Sequence, residues 1–521
     1  MSVLKRLFAV RSVESIVKEL ESAPKLNRVL TVPALIAIGL GSTIGTGIFI
    51  QTGIVAAENA GPALTLALLI AAIGSAFAAI CYAEFAAMIP VSGSAYTYSY
   101  ATLGEAVAWF IGWNLSLEYM ISASAVAVGW SEYVVNILNE WGIHLPVALI
   151  NAPFGKAHAG DPTLAASAIA TLHDIGIELP QAMVRSFSLK AAEGDVALTG
   201  ALINLPAMLI IGAMGWVCYV GVRESSTANS IMVVIKVAVI VLFILAGLVF
   251  IDTANWHPYI PANTGKFGQF GWSGVLQGAG IIFFSYIGFD AASTTAREAR
   301  NPQRTVPLGI LGALLISAVL YIGMGAVMTG MVPYPKLNAA APVAVALDAH
   351  PELLWLGDLV KLGAIAGMTS VILMSLLGQP RIFLAMANDG LLPPAVSKVH
   401  PVHRTPHIAT LWTVIFAAVV AGLFPLNILG ELISIGILFA FTVVCIGVLV
   451  LRYTKPNIER PFRVPFAPVT CVLGAAICLS LTAFLPEGTW ERLLVWTILG
   501  FAIYGLYGYR HSRLRTEEHH S

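Results

Sequence analysis

The chain has 521 residues, 58% of them hydrophobic and 11% charged, against about 45–50% and about 25% in ordinary soluble domains. That composition excludes a soluble globular enzyme and points to a protein built for the bilayer. Lysine plus arginine and aspartate plus glutamate balance at 28 each, so no net charge draws in nucleic acid or an acidic substrate.

The first element, 1–31, is basic and amphipathic, without an uninterrupted apolar core or a small-residue cleavage site. It reads as a cytoplasmic N-terminal segment and not as a cleaved leader. From residue 32 onward, apolar runs long enough to cross about 30 Å of hydrocarbon follow one another. Their bounding Pro, Gly and charged residues predict twelve spans: 32–60, 62–90, 105–137, 197–222, 229–251, 272–296, 305–332, 355–387, 407–425, 429–452, 466–485 and 490–509. They form one polytopic domain, 32–510, with core helices over 32–452, peripheral helices over 466–509 and a cytoplasmic tail at 511–521. With the N-terminus in the cytoplasm, 20 of the 28 Lys and Arg residues fall inside, six outside, and two, Lys236 and Lys361, within spans. Such an excess places both termini in the cytoplasm of a multi-pass plasma (inner) membrane protein.

The longest stretch between spans, about 138–196, mixes turn signals with helix-compatible pieces and reads as an outer connecting insertion. His144, His158 and His173 within it lack metal-ligand spacing. Five cysteines (Cys81, Cys218, Cys445, Cys471, Cys478) lie in apolar runs without a CxxC pair and read as small packing residues. No metal site, cofactor or catalytic residue is implied.

The first span contains IGLGSTIGTGIF, with Gly39, Gly41, Gly45 and Gly47 in a membrane-length helix. A phosphate loop is excluded, because neither GxGxxG nor GK[ST] is present and no strand precedes it. Each glycine costs a helix interior about 1 kcal/mol relative to alanine, so the cluster makes unwinding near mid-membrane inexpensive. Unwound backbone at that depth is tolerated where it lines a protein-enclosed cavity. A broken helix offers N–H groups suited to a carboxylate and free carbonyls suited to a cation; a zwitterion fits both. Close helix packing through Gly41 and Gly45 is the alternative for this cluster alone. The sixth span repeats the pattern in FFSYIGFD, with Gly288 beside Ser285 and Asp290. One interrupted helix in each half is the mark of inverted-repeat transporters, with spans one to five and six to ten as the halves.

Three ionisable residues lie well inside spans: Glu118, Lys236 and Asp290. Charge at that depth is costly and usually functional. Lys236 sits on the order of 10 Å deep, beyond easy snorkelling to the interface. Glu118 and Asp290 are placed to join the transport path, or to form helix–helix hydrogen bonds with hydroxyls such as Ser122 and Ser293. Glu84, Arg297, Glu298 and Arg300 sit at cytoplasmic span ends, as an inner gate or as interfacial ion pairs.

Four motifs in order, IGTGIF, YAEFAAMIPVSGSAYTYSYATLGE (82–105), FSYIGFDAASTTAREARNPQRTVPLGI (284–310) and QPRIFLAMANDGLLP (379–393), carry a family resemblance. From about residue 30 to 510 the chain resembles an amino acid permease of the amino acid, polyamine and organocation superfamily. It is most similar to the cationic amino acid transporter branch, in a bacterial twelve-span form. The insertion at 138–196 has no recognised equivalent.

The resemblance implies an all-α integral membrane protein with a LeuT-like five-plus-five inverted repeat and broken first and sixth helices. It implies secondary transport by alternating access. Carried over, Ile44, Gly45, Thr46 and Gly47 would cradle the substrate carboxylate through backbone N–H groups. Phe284, Ser285 and Ile287 would receive the ammonium, with Phe284 as an aromatic gate. Lys236 would stand where sodium-coupled relatives hold an ion and would couple transport to protons by releasing one during the cycle; a permanently charged lysine would leave a proton-independent carrier. Ser375 would face the substrate side chain.

Arginine, lysine or a small neutral amino acid is the substrate expected. Another organic cation such as a polyamine, carried without protons, is the rival, although it lacks a carboxylate for the glycine donors. No HExxH, acidic metal cluster or serine–base pair suggests an enzyme. The expected partners are the amino acid, protons and the lipid bilayer, not nucleic acid; a small membrane-protein partner is left unidentified.

Overall fold

The computed structural model describes residues 8–11, 16, 30–89, 94–156, 196–198, 201–220, 225–339, 341–401 and 405–513. Most of the 1–31 segment, the insertion from 157 to 195 with His158 and His173, and the tail beyond 513 lie outside the described residues.

Helix α1 (Val32–Thr43) opens with a proline in its first turn and stops at Ile44, which is extended at φ −79° and ψ 99°. The first-turn proline lacks only an N–H that would be unpaired anyway. The chain becomes helical again as α2 (47–60), two π-type turns, Gly47–Gln51 and Ala56–Ala60, around Thr52–Val55. Such widened turns mark local departures from regular pairing and concentrate at functional sites. Gly61, at φ +61°, then turns the chain into α3 (Leu64–Met88).

A short helix α4 (Ser94–Thr102) precedes the long α5 (Glu105–Glu140). Strands β1 (Phe154–Lys156) and β2 (Val196–Leu198) pair antiparallel, with Phe154 opposite Leu198. The fourth span therefore starts later than its apolar run: residues 197 and 198 belong to a strand, and α6 covers Leu205–Val220. Hydropathy alone does not distinguish an apolar strand from the start of a helix. Helix α7 (Ser225–Gly247) follows.

The sixth span is three pieces instead of one helix. Helix α8 (Gly271–Ile282) tightens into a 3₁₀ turn at Phe283–Tyr286, Ile287 is extended, Gly288 takes φ +112°, and only the short α9 (Ala291–Thr294) follows. Then come α10 (Pro302–Met331), the short α11 (Pro342–Asp348), α12 (Leu354–Asn388), α13 (His407–Leu423), α14 (Leu426–Thr454), α15 (Ala467–Ala483) and α16 (Glu487–Ile503).

Among the described residues, eight helical stretches are long and apolar enough to cross a membrane, and α1, α6, α13 and α15 are shorter apolar helices. Large apolar side chains such as Leu209, Trp216, Val234 and Val495 point outward, as in a protein whose surroundings are hydrocarbon. The long helices α5 and α12 pack along each other at the centre, α3 packs on α10, and α6 on α13.

At the end carrying most basic residues, buried Glu84 holds three elements together. Arg452 donates to its two oxygens at 3.2 and 2.5 Å, the Val464 N–H donates at 2.7 Å, and Arg460 approaches within 3.4 Å. Glu84→Ala strands these donors. We expect a cost of about 2 kcal/mol, below the about 3–5 kcal/mol of a fully buried pair, because Arg452 keeps 27% of its side chain exposed. A lower thermal midpoint in detergent measures it.

Candidate functional site

The last carbonyls of a helix have no partner within it, and α1 ends in the interior of the protein. Three side chains meet these carbonyls, among them Ser370, whose Oγ donates to the Gly41 carbonyl at 3.1 Å. The Lys236 Nζ donates to the Gly41 carbonyl at 2.8 Å, the Ile44 carbonyl at 2.9 Å and Ser370 Oγ at 2.8 Å. From the other side the Tyr321 hydroxyl donates to the Thr43 carbonyl at 2.9 Å. Lys236 is wholly buried, and among the described residues its ammonium is held by neutral oxygens without an acid. Glycine makes the space: a Cβ on Gly367 of α12 would stand 3.2 Å from the lysine stem.

The two interrupted spans meet at their breaks. A Cβ on Gly47 would fall 2.5 Å from Ser285 Cβ and 2.7 Å from its Cα, and one on Gly288 would fall 2.6 Å from the Ser42 carbonyl carbon. Gly288 also needs its positive φ, which side chains rarely adopt. Gly129 of α5 gives similar clearance to Thr46, whose methyl would stand 2.3 Å from an added Cβ.

Beside this junction is a small cavity, about 270 Å³ counting the space at its opening, walled by Ser42, Glu118, Ile287, Gly288, Asp290 and Ser375, with Tyr119, Ser122 and Met374. The Tyr119 hydroxyl donates to Asp290 Oδ2 at 3.3 Å. The other Asp290 oxygen, Glu118 Oε2 and Ser42 Oγ are buried without a partner among the described residues, as are Thr46 Oγ1, Ser285 Oγ and Ser293 Oγ. Buried polar atoms are ordinarily paired, so this concentration makes the cavity a candidate site for a polar ligand. Neither acid forms an ion pair among the described residues.

Of the residues singled out in the sequence, Glu118, Ile287, Asp290 and Ser375 face this cavity together. Ile44, Gly45, Thr46, Gly47, Phe284, Ser285 and Lys236 do not line it. The Ile44 carbonyl is taken by Lys236, Gly45 packs on Val371 and Val126, and Phe284 lies against Gly430. Thr46, Gly47 and Ser285 make the junction itself. Sequence reading missed Ser42, Tyr119 and Met374. Ser42 lies inside the glycine cluster, and the other two adjoin Glu118 and Ser375.

A larger cavity, about 800 Å³ including its open mouth, shares Tyr119 and Met374 with the first and runs to Leu30, Glu298 and Arg381 at the basic end. The opposite end is covered: Pro342 of α11 stands 2.3 Å from a Cβ added at Gly53 of α2, and Lys361 of α12 pairs with Glu140 of α5.

Residues 30–503 match the profile of a family described as amino acid permease. The methylthioribose transporter of Bacillus subtilis (strain 168) is 41% identical over 98% of this chain and 99% of its own length. The branched-chain amino acid permease BcaP of the same organism is 39% identical over the same shares. The vacuolar cationic amino acid transporter 2 of Arabidopsis thaliana is 39% identical over 84% of this chain and 61% of its own length.

Proposed function

Because this chain belongs to the amino acid permease family, a family of transporters and not of enzymes, we propose that it carries α-amino acids across the plasma membrane by alternating access. In this reading one polytopic domain over 32–510 crosses the membrane twelve times, with both termini cytoplasmic.

The five-plus-five inverted repeat is supported by the packing. Spans three and four touch, as do eight and nine; three touches ten, as eight touches five; one touches five, as six touches ten. Shifting each span by five thus maps these contacts onto one another. The short helices α4 and α11 follow spans two and seven in the same relation.

The observation that carries the functional reading is the meeting of two helix breaks, Gly47 on Ser285 and Gly288 on Ser42, beside a cavity with unpartnered polar atoms. The first turn of α2 has backbone donors with no intrahelical partner, which suit the substrate carboxylate at Gly45 to Gly47. The open backbone of the sixth span near Phe284, Ser285 and Ile287 suits the ammonium. Glu118 and Asp290, without a cationic partner among the described residues, suit a basic side chain, which favours arginine or lysine. Small neutral and branched-chain amino acids form the second reading, favoured by the branched-chain relative. A carboxylate-free substrate is the rival from the methylthioribose relative.

Lys236 is assigned proton coupling, because its ammonium occupies the carbonyl cage at the end of α1 as a cation would. Release of its proton would remove the charge and one of the three N–H donors from this cage and so loosen α1 from α7 and α12.

Uptake of labelled arginine, lysine, alanine and leucine into proteoliposomes tests this. At least one is expected to enter, about tenfold faster with an acid-outside gradient, since a tenfold rate corresponds to about 1.4 kcal/mol of driving interaction. Entry of none, or only of methylthioribose or polyamines, rejects amino acid transport; indifference to the gradient rejects the role of Lys236.

A further inference from the structure

The larger cavity is more than a passage. Its lining contains one cation and one anion, Arg381 at the end of α12 and Glu298 after the broken sixth span. They lie on opposing elements, and neither forms an ion pair among the described residues. A third polar group faces the same space: Asn229 of α7 is only 4% exposed, and its Oδ1 has no partner among the described residues. Gly41 makes its place, since an added Cβ would stand 3.0 Å from the Asn229 amide nitrogen. The remaining wall, including Ile38 and Leu377, is largely apolar.

We propose that this vestibule is a second amino acid site, a release-side station in which Arg381 takes the carboxylate and Glu298 the ammonium of the departing substrate. The station rests on the amino acid reading of the central cavity and gives it a direction. A guanidinium fork matches a carboxylate in two parallel bonds. The Asn229 carbonyl oxygen accepts from the ammonium, and the apolar wall receives the side chain. Tyr119 and Met374 belong to both cavities, so the substrate passes between them from one site to the other. Asn229 lies two helical turns before Lys236 on the same stripe of α7, and both meet Gly41. Occupancy of the station is therefore sensed at the residue that also binds the lysine.

The test compares Arg381→Gln with wild type in right-side-out and inverted membrane vesicles, using the amino acid that wild type carries best. A charged hydrogen bond is worth about tenfold or more in affinity. The half-saturating concentration is expected to rise about tenfold on the cytoplasmic face and less than about twofold on the outer face. Arg381→Lys, which restores the charge but not the two-bond fork, should recover only part of the loss. An equal rise on both faces, or none on either, overturns the station.

A second measurement needs neither a variant nor transport. Phenylglyoxal modification of Arg381 in the purified wild type, read by mass spectrometry, should slow in the presence of lysine and not of 1,5-diaminopentane. Equal labelling with and without lysine overturns the station even where uptake is found. Slowed labelling without any uptake supports the station and rejects the transport reading instead.

Discussion

A Gly288→Ala protein is expected to fold and reach the membrane, yet to carry amino acids about a hundredfold more slowly than wild type. The added methyl would stand 2.6 Å from the backbone of Ser42 in a residue held at φ +112°. The left-handed conformation alone costs a side chain about 1–2 kcal/mol, and the collision forces the two breaks apart. A displacement near 1 Å at a reacting or binding site lowers rates by about 10²-fold. Gly47→Val should behave alike, because its side chain would strike the backbone of Ser285. Gly212→Ala is the control: an added Cβ there meets nothing within 4 Å, so its uptake should equal that of wild type. Initial uptake rates in proteoliposomes, normalised to reconstituted protein, separate the three.

Lys236→Ala is expected to lower uptake by a similar factor and to abolish its response to a pH gradient. The substitution removes the Ile44 carbonyl's side-chain donor and one of two at Gly41, which keeps Ser370 Oγ at 3.1 Å, and each buried unpaired group costs about 1–3 kcal/mol. The end of α1 must then rearrange, so the thermal midpoint in detergent should fall as well. Lys236→Arg should not rescue the gradient response. A guanidinium stays charged at any ordinary pH, so it has no proton to release during the cycle. Uptake measured across a series of imposed gradients decides it: a variant that still accelerates with the gradient removes Lys236 from coupling.

The breaks in spans one and six were legible because glycine leaves a local signature. Gly45 and Gly47 weaken a helix wherever it packs, and Gly288 sits between residues that would otherwise continue one. Lys236 was legible for a similar reason, since a charge in an apolar run must find partners. Its partners were not, because the Gly41 and Ile44 carbonyls and Ser370 come from elements 134 to 195 residues away. The same holds for Ser42, Tyr119 and Met374, ordinary residues in sequence that become cavity walls only when α1, α5 and α12 converge. The late start of the fourth span escaped notice because residues 197 and 198 are as apolar as the helix they precede. Helix α4 was hidden by the polar, aromatic composition of SAYTYSYAT, which has no membrane-span signal. Arg381 was quoted within a family motif, but only the fold sets it across a cavity from Glu298.

The most direct measurement is displacement of labelled arginine from the purified protein by unlabelled arginine and by agmatine, its decarboxylated counterpart. A site formed where two helix breaks meet, with backbone donors for an α-carboxylate, predicts displacement by arginine, little by agmatine, and no specific binding in Gly47→Val. Equal displacement by both compounds, or undiminished binding in Gly47→Val, contradicts it.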